Sequence, residues 1–81
     1  MELNRETIVS YLVDELGLDE DDATDETLLF STGTLDSFGL VSLMGVLEKN
    51  GGFKIKATEV SLDHFDTIGR IVDFVARRLA G

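Results

Sequence analysis

The chain has no cysteine, no proline and no tryptophan, and only one histidine, His64. Without cysteine there is neither a disulfide framework nor a thiolate metal site, and one histidine cannot build a zinc site instead. No apolar run approaches the ~20 residues of a membrane span. The opening residues Met1-Glu2-Leu3-Asn4-Arg5-Glu6 lack the basic and apolar regions of a signal peptide. The expectation is a cytoplasmic protein. Positive charge is scarce too: seven Lys and Arg stand against sixteen Asp and Glu, a formal net charge of −9. Such a surface repels nucleic acid and anionic membranes and attracts basic patches on protein partners.

What is present is a full share of apolar residues, 43% of 81. That share argues against a disordered chain. The length predicts one domain, residues 1–81, burying roughly 60% of the surface its unfolded form exposes. No internal repeat and no low-complexity segment appears.

The chain is organised around Gly33-Thr34-Leu35-Asp36-Ser37-Phe38-Gly39-Leu40-Val41-Ser42-Leu43. This stretch reads as the end of a loop running into a helix. Asp36 suits the N-cap, its carboxylate accepting from the N–H groups of Phe38 and Gly39. Ser37 is then the first helical residue, at the positive end of the helix dipole and beside N–H groups with no intrahelical partner. A phosphate ester on its hydroxyl sits in a favourable field there. The position favours an attachment point over a nucleophile.

Around this centre the periodicity predicts helices. Asn4 to Leu16 carries the stripe Ile8, Val9, Leu12, Val13 and Leu16, with Asn4 as cap and Gly17 as stop. Gly17 to Asp36 has no sustained period. It opens on the acid run Asp19-Glu20-Asp21-Asp22 and closes on the apolar anchors Leu28, Leu29, Phe30 and Leu35. From Ser37 to about Asn50, steps of ~100° per residue place Leu40, Leu43 and Leu47 on one side, flanked by Met44 and Val46. Ser37, Val41, Gly45 and Glu48 fall on the other half, with Phe38, Ser42 and Lys49 beside them. Phe38 and Val41 are apolar where a solvated helix would be polar. Either loop residues cover them or they form a docking patch around Ser37. Gly45 leaves room for an arm or a partner, or serves tight helix packing.

Phe53-Lys54-Ile55-Lys56 reads as a short extended link, and Ala57 to Leu62 as one or two helical turns with Val60, Leu62 and Phe65 inward. Asp66 is expected to cap the last helix, with Thr67 at its first position. That helix carries Ile68, Ile71, Val72, Val75 and Leu79 as a stripe, with Phe74 flanking. Arg77 and Arg78 suit its C-terminal dipole and solubility.

Two further chemistries fail on residue positions. A calcium-binding EF-hand loop from Asp19 needs Gly at position six and Glu at position twelve, where Thr24 and Phe30 stand. No metal site is expected. A nucleophile elbow needs Gly two before and two after the serine; Leu35 stands before Ser37 and Gly39 after. A Ser/His/Asp triad would depend on His64 alone. The expectation is a protein that is not an enzyme.

Leu35-Asp36-Ser37-Phe38-Gly39 before a Leu/Val-rich helix, near mid-chain, with Phe65-Asp66-Thr67-Ile68 opening a last amphipathic helix, resembles the acyl and peptidyl carrier proteins. The resemblance covers nearly all of the chain. It implies an all-α fold, a mostly antiparallel four-helix bundle with a long first loop and a short third helix bordering the acyl cleft. It implies 4′-phosphopantetheine attached covalently to Ser37, its thiol holding an acyl or aminoacyl cargo as a thioester. It also implies Asp36 as a recognition point for a phosphopantetheinyl transferase, and Phe38, Val41, Gly45 and Glu48 as a docking face. The implied partners are that transferase, an acyl- or aminoacyl-activating ligase and a downstream transferase or synthase, acting on a monomer. Fatty-acid carriers bear several acids on the modified helix. Here Glu48 is the only one after Ser37, and the opening looks more like freestanding aminoacyl, peptidyl or specialised-pathway carriers. Lys56 stands where the family often has proline. The alternative is a small acidic helical interaction module without a prosthetic group.

The concentration of negative charge generates a prediction. Acids clustered at residues 19–22 and a net charge of −9 repel one another in the compact state. The melting temperature is expected to rise between low and ~0.15 M ionic strength as the charges are screened. A flat or falling midpoint in a thermal melt contradicts this.

Overall fold

The last helix, Ile68–Ala80, is the element against which the others pack. Its Ile68, Ile71, Phe74 and Val75 are buried on one face, as an apolar stripe at helical spacing requires. In the computed structural model, which describes residues 3–80, this is α4 of four α-helices. Met1, Glu2 and Gly81, which belong to the expected domain, lie outside the described residues. The preceding helices are α1 (Arg5–Asp14), α2 (Ser37–Gly51) and α3 (Leu62–Phe65). Single 3₁₀ turns lie at Glu20–Asp22 and Ala57–Glu59, and no strand forms among the described residues. None of these helices is long and apolar enough to cross a membrane. The all-helical bundle with a long first loop and a short third helix agrees with the sequence reading.

Local chemistry sets the helix ends. Asn4 and Thr7 close a reciprocal box at the start of α1, Thr7 N–H donating to Asn4 Oδ1 at 2.9 Å and Asn4 N–H to Thr7 Oγ1 at 3.0 Å. α1 ends at Asp14, short of the expected Leu16, and Gly17 turns the chain with φ 76°. At the end of α2, Gly52 takes the left-handed conformation with φ 71°. The core joins Ile8 and Leu12 of α1, Leu43 and Leu47 of α2, Phe65 of α3 and the inner face of α4. Leu3 closes it from the segment before α1, and Leu18, Leu29 and Leu35 from the long loop. Leu28, Leu62 and Leu79, expected inward, are exposed. Leu28 adjoins Leu29, which reaches the core instead; Leu62 opens the single turn of α3, and Leu79 lies in the last turn of α4.

Asp66 departs from expectation more consequentially. It does not cap α4. Thr67 does, its Oγ1 accepting from Arg70 N–H at 3.1 Å. The Asp66 carboxylate turns into the long loop, where Oδ1 accepts from Phe30 N–H at 2.8 Å and Ser31 N–H at 2.9 Å. Its Oδ2 accepts from the Ser31 hydroxyl at 2.7 Å, and its backbone carbonyl from Leu29 N–H at 2.6 Å. Burial pushes the carboxyl pKa up, but the donors on Ser31 and Phe30 outweigh it and hold the value below normal.

Arg78 is also more than a dipole partner. Its guanidinium donates to both Glu59 oxygens at 2.7 and 2.8 Å and to the Lys54 carbonyl at 2.6 Å. It lies over the rings of Phe53 and Phe74, 5.1 and 5.8 Å from their centroids. The clamp ties the α2–α3 link to α4. Lys56 N–H, then Arg78, hold the Glu59 carboxyl below its ordinary pKa. Arg77 pairs with Asp73 one turn back on an exposed face, where such pairs contribute little.

Asp66 gives this architecture a pH signature. A depressed folded-state pKa contributes stability above the unfolded value, lost as pH falls through the folded one. The denaturant midpoint should therefore fall below about pH 4, the ordinary aspartate range. Asp66→Ala should cost on the order of 1–3 kcal/mol at neutral pH, since it leaves the part-buried donors of Phe30 and Ser31 without their acceptor. That cost should shrink toward pH 3, and a pH-independent cost in denaturant melts contradicts the assignment.

Candidate functional site

The site is assembled where the long loop meets α2. Gly33 turns the chain with φ 79°, a left-handed conformation that favours glycine. Leu35 N–H donates to the Leu29 carbonyl at 2.7 Å, and the Thr32 hydroxyl to the Leu28 carbonyl at 3.1 Å. The loop therefore closes on itself directly above the Asp66 anchor. Leu35 is buried, which fixes the next residue at the bundle surface. The loop is tied down earlier as well: Gly69 N–H donates to the Asp25 carbonyl at 3.3 Å, and the Asp25 carboxylate pairs with Arg5.

Asp36 is the N-cap. Its Oδ1 accepts from Gly39 N–H at 2.8 Å, and its carbonyl from Leu40 N–H at 3.1 Å. The expected second bond, from Phe38 N–H, is not made; one carboxylate oxygen aligned on the third helical residue is enough to cap. Ser37 is the first residue of α2 and is exposed. No acidic side chain lies in the first turn of that helix. The Ser37 hydroxyl stands by unpartnered helix N–H groups at the positive end of the dipole, so an anionic ester fits there. No hydrogen bond links it to His64 or another side chain among the described residues. His64 instead packs on Phe74, with ring centroids 5.0 Å apart.

The open question about Phe38 and Val41 has a geometric answer. Nothing in the described chain covers them: Phe38 is 77% exposed and Val41 64%. Leu43 and Leu47, on the opposite side of α2, are fully buried. Gly45 shares the open side, and a methyl group there would meet nothing within 4 Å. Tight packing inside the chain is therefore not the reason for this glycine. Glu48 is half-buried, and its Oε2 accepts from Ile55 N–H at 2.7 Å. It fastens the link after α2, a bond of which the local sequence carries no sign.

Sequence reasoning also missed a groove beside Ser37. It measures ≈ 360 Å³ and is lined by the end of α1 (Glu15, Leu16), the loop (Gly33 to Asp36) and the start of α2 (Phe38, Gly39). Glu15 and Leu16 are remote from Ser37 in the chain, so no local pattern announces them. No group of three or more His, Cys, Asp and Glu among the described residues could hold a metal ion.

Comparison with known proteins bears on this geometry. The family model described as the phosphopantetheine attachment site matches residues 6–75. An acyl carrier protein of Thermotoga maritima is 31% identical over 72 residues, covering 89% of this chain and 86% of its own length. A D-alanyl carrier protein of Abiotrophia defectiva is 36% identical over 64 residues, covering 75% and 81% respectively.

The exposure of the Ser37 side is checked by stability measurements. Phe38→Ala and Val41→Ser are expected to shift unfolding by well under ~1 kcal/mol, as uncovered side chains do. Leu43→Ala should cost roughly 2–5 kcal/mol. Equal losses in denaturant melts would place all three in the core.

Proposed function

The chain belongs to the family of proteins with a phosphopantetheine attachment site, carriers that hold their cargo on a covalent 4′-phosphopantetheine arm, and on that premise we propose that Ser37 bears the arm. The observation that carries the assignment is an exposed hydroxyl at the Asp36-capped start of α2, inside the matched residues. The bound arm supplies a terminal thiol on which an acyl or aminoacyl group is held as a thioester. The chain's own residues do the rest. Asp36 fixes the first turn, so that Ser37 Oγ is presented to a phosphopantetheinyl transferase, which also reads Asp36. Coenzyme A is the donor: the Ser37 Oγ–P bond forms, the pyrophosphate bond breaks, adenosine bisphosphate leaves, and the serine proton passes to the transferase.

Phe38, Val41, Gly45 and Glu48 form the docking face for an acyl- or aminoacyl-activating ligase and for a downstream transferase or synthase. With the Glu48 carboxylate engaged by Ile55 N–H, α2 offers partners an apolar side rather than an acidic one. This supports an aminoacyl or specialised-pathway cargo over a general fatty-acid role. The chain performs no catalysis itself. It works as a monomeric domain of residues 1–81 in the cytoplasm, without nucleic acid, and acts by keeping cargo at high effective concentration near partner sites.

Incubation with coenzyme A and a broad-specificity transferase should raise the intact mass by one phosphopantetheine in the native chain and not in Ser37→Ala. Absence of the addition with several transferases, on folded protein, rejects the assignment. On the modified chain, Phe38→Ala should slow thioester loading by a cognate ligase at least several-fold, because exposed aromatic anchors dominate interface energy.

A further inference from the structure

We propose that the groove beside Ser37 is a resting site for the uncharged pantetheine portion of the arm, with its floor opened by the missing side chain of Gly39. The inference rests on Ser37 bearing the arm. Asp36 and Phe38, the chain neighbours of Ser37, both line the groove. A group tethered at Ser37 Oγ therefore starts at its edge. Short tethers give effective concentrations of about millimolar, so contacts of about millimolar strength suffice to fill the groove about half the time.

The chemistry of the walls matches that occupant. Pantetheine presents amide N–H and hydroxyl donors along a chain of methyl and methylene groups. The groove presents acceptors and apolar surface. The Glu15 carboxylate and Oδ2 of Asp36 accept no hydrogen bond among the described residues. Leu16, Leu35 and Phe38 supply the apolar part. The phosphate, joined to Ser37 Oγ, stays at the start of α2, so the part of the arm that reaches the groove is its uncharged pantetheine.

Gly39 is the independent sign. It is buried in the first turn of α2, where glycine weakens a helix relative to alanine, and its φ is not positive. A Cβ there would lie 3.5 Å from Asp36 Oδ1, 3.7 Å from Leu16 Cδ1 and 3.9 Å from Leu35 Cβ. These are ordinary contacts, so the fold accommodates alanine. All three atoms belong to groove residues. What glycine preserves is space on the groove floor.

The test is NMR on isotope-labelled protein before and after arm attachment, with intact mass establishing the modification. Expected are NOEs from the arm's geminal methyls to the Leu16 and Leu35 methyls, and amide shift changes at Glu15 and Leu16. Gly39→Ala should fold with an equal or higher melting temperature, accept the arm and lose those NOEs. Glu15→Lys, on an exposed side chain outside the Ser37 region of the chain, should accept the arm and weaken them. A correct mass without NOEs to Leu16 or Leu35 overturns the groove and leaves Ser37 as the attachment point. NOEs retained in Gly39→Ala overturn the role of the glycine. No mass addition at Ser37 overturns the attachment assignment and this inference with it.

Discussion

Asp66 is the one acid buried among the described residues, and the position of Ser37 depends on it. A charged carboxylate is tolerated in such a place only when donors surround it. Here they come from Phe30 and Ser31, with Leu29 bonded to the Asp66 carbonyl. These bonds hold a loop that has only one 3₁₀ turn of regular structure. Leu35, tied back to Leu29, passes the constraint on to Asp36 and the first turn of α2. The start of α2, where we propose that the arm attaches, is thus fixed by a residue distant in the chain, at the junction of α3 and α4.

α2 divides its work between two sides. Leu43 and Leu47 secure it in the core, while Ser37, Phe38, Val41 and Gly45 stay uncovered. A carrier has to meet several enzymes with one small surface, so an accessible face is needed and a rigid support behind it. The strongly negative chain offsets the tendency of bare apolar side chains to associate. The link that follows α2 is held at both ends, by Glu48 on Ile55 and by Arg78 on Glu59 and Lys54. The support therefore extends beyond the helix itself.

Much of this is legible in the residues. Apolar spacing locates α1, α2 and α4, and Asn4 and Asp36 announce two caps by their chemistry. The helical period of α2 puts Phe38 and Val41 on the side away from Leu43 and Leu47, where the fold leaves them. The failures have a common cause. Asp66 and Thr67 are both capping residues, and nothing in their local sequence says which faces α4 and which faces the loop. Arg78 reads as a helix-end cation because its partners lie 19 and 24 residues away. Glu48 reads as a surface acid because Ile55 N–H reaches it only once the link folds back.

The residues alone dictate the helices, the cap at Asp36 and the division of α2 into a leucine side and a serine side, because each depends on neighbours a few residues apart; that the serine side stays uncovered is decided by the path of the long loop. Long-range packing selects which aspartate holds the long loop and what Arg78 and Glu48 grip, and it brings Glu15 and Leu16 beside Ser37 to form a groove. Those contacts join distant segments, and their partners are chosen by the assembly of the whole bundle around α4 rather than by any local preference.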